Sequence, residues 1–113
     1  MEFARDLVLI LHFIGMSALF GGFFVQLRTP TKVVNAAMLH GALTQLVTGI
    51  LLVGLIYADD GEPDNAKITV KTVIVLIITA LAWINRKRDS ISNGVWWAIG
   101  LLTVANISIA VIW

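Results

Sequence analysis

His12 is the residue of this 113-residue chain best equipped for chemistry. An imidazole can offer a lone pair to a metal or exchange a proton near neutral pH. Met16 follows four residues later, so the two share one face of a helix. Imidazole and thioether together suit Cu(I), and they are also groups that take the axial positions of a haem iron. Two residues one turn apart cannot flank a macrocycle from opposite sides, so a haem needs its other ligand from elsewhere. The plain alternative is that His12 hydrogen-bonds a carbonyl or Asn106, with Met16 as packing. Lys71 also has two readings. Its ammonium can snorkel to lipid headgroups, or it can turn inward to meet an anion such as a haem propionate or a lipid phosphate. His40 reads as structural. Cysteine is absent, which excludes disulfides and thiolate sites.

These residues must be positioned by elements that the charge pattern marks out. Hydrophobic residues make up 58% of the chain and charged residues 13%, about half the charge of an ordinary soluble domain. That balance excludes a disordered tail, a nucleic-acid binder with a basic stripe and most soluble enzymes. Residues 7–27, 33–58 and 91–113 carry no Asp, Glu, Lys or Arg, and 68–85 carries only Lys71. A helix of about 20 residues crosses a bilayer core of roughly 30 Å. The pattern predicts one all-α domain over residues 1–113, an integral membrane antiparallel four-helix bundle with spans at about 7–27, 34–57, 68–86 and 92–112. The first run is longer than the apolar core of a signal peptide and follows Glu2 and Asp6, so it reads as a retained helix. Pro30 breaks the first connection, and Gly61 and Pro63 the second. The acids Asp59, Asp60, Glu62 and Asp64 in that second connection lack the spacing of a calcium loop and read as a solvated turn.

The first and third loops hold Arg28, Lys32, Arg86, Lys87 and Arg88, against Arg5, Lys67 and Lys71 on the opposite side. The positive-inside rule then places both termini outside, in the inner (cytoplasmic) membrane of a prokaryote. Trp83, Trp96 and Trp97 read as anchors at the inner interface, Tyr57 and Trp113 as anchors at the outer one.

Polar groups at membrane depth are costly and mark function. From the outer ends of the spans, Lys71 lies about 6 Å deep, His12 about 8 Å, Asn106 about 10 Å and Thr48 about 13 Å. Four helices thus bring four polar residues to similar depth, and a cluster in the outer half of the bundle is expected. His40 sits near the inner end, too far along the membrane normal to share a ligand with His12. Gly41, Thr44, Gln45, Thr48 and Gly49 make a small, polar stripe on the second span that should face other helices. Ser17/Gly21, Ala18/Gly22 and Ala37/Gly41 are small pairs at i, i+4 that allow close backbone approach.

Two stretches carry a family resemblance. LHFIGMSALFGG (residues 11–22) resembles the first-helix motif of the copper-resistance D (CopD)-like membrane proteins and the related HemJ-like protoporphyrinogen oxidases. In those, a Leu-His pair is followed by Gly-Gly or Ala-Gly at the spacing of Gly21 and Gly22. KTVIVLIITALAWINR (71–86) is similar to their third helix, with Lys at its start and Asn-Arg at its end. The resemblance implies a four-helix bundle with functional residues at His12 and Lys71, and a role with haem b or copper. The expectation is a membrane protein that binds or helps transport a metal or haem-type ligand, with His12, Lys71 and Asn106 toward the cofactor and His12 with Met16 as metal ligands. No complete catalytic set accompanies them, so the reading leans away from an enzyme. The alternatives are an accessory subunit of a larger membrane complex, respiratory for example, and a protoporphyrinogen oxidase-like enzyme. Expected partners are the lipid bilayer and a homo-oligomer or larger membrane complex, with no nucleic acid.

Overall fold

In lipid, every backbone N–H and C=O must be satisfied within the chain, so long apolar runs become helices. The computed structural model describes residues 2–58 and 65–113, with side chains described for 3–55 and 65–113. Four helices form: α1 (Glu2–Phe24), α2 (Ala36–Ala58), α3 (Asn65–Asn85) and α4 (Asn93–Ile112). Each is long and apolar enough to cross a membrane, which makes this an all-helical, multi-pass membrane protein. The acidic stretch 59–64 and the Tyr57 side chain lie outside the described residues. α1 packs on α2 and α4, and α3 packs on α2 and α4, so the helices contact one another as a closed ring.

Helix ends differ from the charge boundaries because capping groups, not charges, terminate a helix. α1 stops at Phe24, three residues before its apolar run does. Gln26, Leu27 and Thr29 then turn the chain with amide bonds to Phe23, Phe24 and Gln26 carbonyls. The buried Gln26 side chain donates to the Gly22 carbonyl at 2.9 Å and the Val33 carbonyl at 3.0 Å, and accepts from the Val33 amide at 2.8 Å. Asn35 accepts from the Met38 amide at 2.9 Å at the start of α2, and Ser92 accepts from the Val95 amide at 3.1 Å at the start of α4.

The α1–α2 seam brings two helix backbones into direct contact. A Cβ on Gly41 would stand 2.5 Å from the Leu19 amide nitrogen and 2.7 Å from the Gly15 carbonyl. Gly15 lies under Thr44, and Gly22 under Asn35 and Met38. The seam therefore uses Gly15, Gly22 and Gly41. Gly21, with nothing within 4 Å of a built Cβ, faces away from it, and Ser17 is exposed. Of the small pairs anticipated from sequence, Ser17/Gly21 lies on the wrong face to join this seam.

Two residues of the connecting region behave differently from their sequence reading. Trp96 is 1% exposed and stacks on Phe23 with ring centroids 4.2 Å apart, so it is core and not an interfacial anchor. Trp83, Trp97 and Trp113 remain about half exposed. Phe23 can lie against α4 because Gly100 leaves room for its ring. Lys32 is 8% exposed and does not project from its loop. Its Nζ lies 4.7 Å from the Trp96 ring centroid and donates to the carbonyls of Gln26 (2.5 Å), Leu27 (3.3 Å) and Thr29. Its own carbonyl accepts from the Ile91 amide at 2.7 Å, which joins the α1–α2 and α3–α4 loops. Replacing Lys32 by Met keeps the stem, removes three hydrogen bonds from the ammonium and leaves the Gln26 carbonyl with only the Thr29 amide. Hydrogen bonds from charged groups contribute roughly 1.5–3 kcal/mol each, net. Lys32→Met should lower unfolding free energy in detergent by about 2–3 kcal/mol, whereas Arg28→Met, at an exposed position, should leave it unchanged. Equal midpoints for wild type and Lys32→Met would show that the loop lysine is dispensable.

Candidate functional site

The close α1–α2 seam fixes the phase of both helices, and with it the residues each turns inward. One turn beyond Gly15 and Thr44, the same faces present His12 and Thr48. His12 Nδ1 lies 2.6 Å from Thr48 Oγ1. The Thr48 hydroxyl is also 2.6 Å from the Thr44 carbonyl, which can only accept. The single hydroxyl proton is therefore used on Thr44, and Thr48 Oγ1 accepts from His12 Nδ1–H. In the neutral ring this leaves the lone pair on Nε2, and Nε2 has no hydrogen-bond partner among the described residues.

His12 borders a cavity of about 360 Å³, within the usual range of about 300–1,000 Å³ for small-molecule sites. Every helix contributes to its lining. α1 supplies Arg5, Leu9 and His12; α2 supplies residues from Gln45 to Val53; α3 supplies Lys67, Ile68, Lys71, Thr72 and Val75; α4 supplies Asn106. The walls are mostly aliphatic. Arg5, Lys67 and Lys71 bring three cationic side chains, and no carboxylate is among the described lining residues. Lys67 Nζ also donates to the Trp113 carbonyl at 3.3 Å. Lys71 has no hydrogen-bond or ion-pair partner among the described residues.

The structure thus brings His12, Lys71 and Asn106 to one cavity, with Thr48 behind the imidazole. Met16 is not on its wall. It borders a separate crevice of about 10 Å³ near the bundle axis, with Leu19, Ala42 and Ile78. His40 is exposed on the outer face of α2 and meets neither space. Among the polar lining residues, Arg5, Gln45, Lys67 and Thr72 were not singled out for the site from the sequence. Gln45 could have been found from the polar stripe on the second span. Arg5 could not, because α1 begins before its charge-free run does.

The donor set discriminates between ligands. No group of three or more His, Cys, Asp or Glu stands together among the described residues. A bare metal ion would meet a single imidazole nitrogen here. A metal already held in a macrocycle asks less: one axial lone pair, apolar walls and a cation for its carboxylates. His12, the aliphatic lining and Lys71 fit that demand.

Thr48→Val removes the acceptor that fixes the ring. Nitrogen NMR of labelled histidine should show wild-type His12 as the Nδ1–H tautomer above its titration, and Thr48→Val as a mixture of tautomers. A wild-type ring protonated on Nε2 would overturn the assignment. Compared with known proteins, the chain matches no family model, no curated protein and no solved structure.

Proposed function

We propose that this chain is an antiparallel four-helix membrane bundle that binds an anionic, largely apolar ligand in the cavity of its outer half. The resemblance of residues 11–22 and 71–86 to CopD-like and HemJ-like proteins supplies haem as the candidate, and the donor set favours it over bare copper. The observation that carries the reading is the shared cavity of His12 and Lys71: an imidazole nitrogen and an ammonium, each without a hydrogen-bond partner among the described residues, over aliphatic walls. His12 Nε2 would hold the haem iron, Lys71 and Arg5 would neutralise its carboxylates, and Thr48 holds the imidazole in orientation.

Two contacts support the antiparallel arrangement. Lys32 meets Ile91 at one end, and Lys67 meets Trp113 at the other. The loop joining α1 to α2 and the loop joining α3 to α4 then share a side, with Arg28, Arg86, Lys87 and Arg88 left as its outward charges. By the positive-inside rule that side is cytoplasmic, the cavity opens toward the opposite face, and the location is the inner membrane of a prokaryote.

Purified protein reconstituted with haem b should show a Soret band that shifts or disappears in His12→Ala and weakens in Lys71→Met. Protein that stays colourless after reconstitution would sink the haem reading. For topology, a periplasmic reporter fused after Trp113 should be active and a cytoplasmic fluorescent reporter dark. The reverse pattern would place the cavity on the cytoplasmic side.

A further inference from the structure

The floor of the cavity holds a second polar feature that the axial-ligand reading does not use. Gln45 is 2% exposed and Asn106 4% exposed, on the facing helices α2 and α4. Gln45 Oε1 and Asn106 Oδ1 are buried and have no hydrogen-bond partner, and neither amide makes any side-chain hydrogen bond among the described residues. Both residues border the large cavity, and both continue into the small crevice beneath it. Three other buried polar side chains of the spans are satisfied on their own helix: Thr79 donates to Val75, Thr103 to Ile99 and Asn85 to Leu81; the Trp96 indole N–H, further in, is a buried donor without a partner. A buried acceptor without a donor is costly, and more so away from water. Two of them bordering the same end of a cavity mark a place for a group that brings its own donor.

The outer part of the same cavity has the opposite character, with the cations Arg5, Lys67 and Lys71. Gln45 and Val53 both line it, eight residues apart on α2, which sets its length at about 12 Å. The walls between are aliphatic. A complementary ligand is polar at both ends and apolar between them.

We propose that Gln45 and Asn106 form a recognition subsite for an uncharged hydroxyl or amide at the buried end of the ligand. The ligand class is then a bipolar amphiphile, with an anionic group at the cations of the outer part of the cavity and a neutral hydrogen-bonding group at its floor. This rests on the reading of the cavity as a ligand site, but not on the ligand containing a metal. The amides also discriminate: an amphiphile with a plain hydrocarbon end would bury both acceptors unpaired.

The test uses the full chain in lipid nanodiscs and two probes, decanoate and 10-hydroxydecanoate, with empty discs subtracted. The hydroxylated probe should bind about five- to tenfold more tightly to wild type, the value of one added buried hydrogen bond. Asn106→Leu and Gln45→Met should each close that gap, while Lys71→Met should weaken both probes alike. Using two separate floor variants keeps the test decisive if one of them fails to fold. Equal affinity of the two probes for wild type would overturn the proposal and leave water alone to satisfy the amides. So would a gap that persists in the floor variants, or no saturable binding of either probe. Loss of the haem signal with the probe gap intact would remove the haem assignment and leave the amide subsite standing. A haem signal without the gap would do the reverse.

Discussion

The Lys32 ammonium is the contact on which the arrangement of the four helices depends. It sits where α1 has ended and its last carbonyls have no intrahelical donors, at the negative end of the helix dipole. One cation serves the carbonyls of Gln26, Leu27 and Thr29 and lies over the face of Trp96. Its backbone carbonyl takes the Ile91 amide. Turn, loop and α4 are thereby tied at one point. Gln26 completes the lock by bonding across the turn to Val33 in both directions.

From that end, order is transmitted along α1 and α2 by contact and not by charge. Gly15, Gly22 and Gly41 let the two backbones meet, so neither helix can rotate without a clash. The seam sets Thr44 and then Thr48 opposite α1, and Thr48 determines which nitrogen of His12 carries the proton. The chemistry of one imidazole is in this sense a product of three glycines on two helices.

Much of this was readable from the chain. The four spans follow from where charge is missing. The shared depth of Lys71, His12 and Asn106 follows from counting residues, and all three do line one cavity. Rotation about each helix axis was not readable. Helices that are apolar on nearly every side give little sign of which face turns inward. Sequence therefore placed Trp96 at the interface when it is core, gave no sign that the loop residue Lys32 is buried, and put Met16 beside His12 on a wall that Met16 does not reach. Glycines revealed the phase only once the partner helix was in view: Gly21 and Gly22 are adjacent, and one is free while the other is pressed against Met38.

The dry stretch inward of the amide floor has a consequence of its own. On passing from Gln45 and Asn106 toward Lys32, the chain sets Met38, Ile78, Ile99 and Trp96 across the axis, each less than 2% exposed. A molecule that enters beside Lys71 meets a stopper before it is halfway through, and the stopper is secured by the lock beneath it. Among the described residues the cavity is closed at its inner end. A ligand held there as proposed would have to leave by the rim it entered, unless α1 and α4 part, which would first require Phe23 to leave its seat on Gly100.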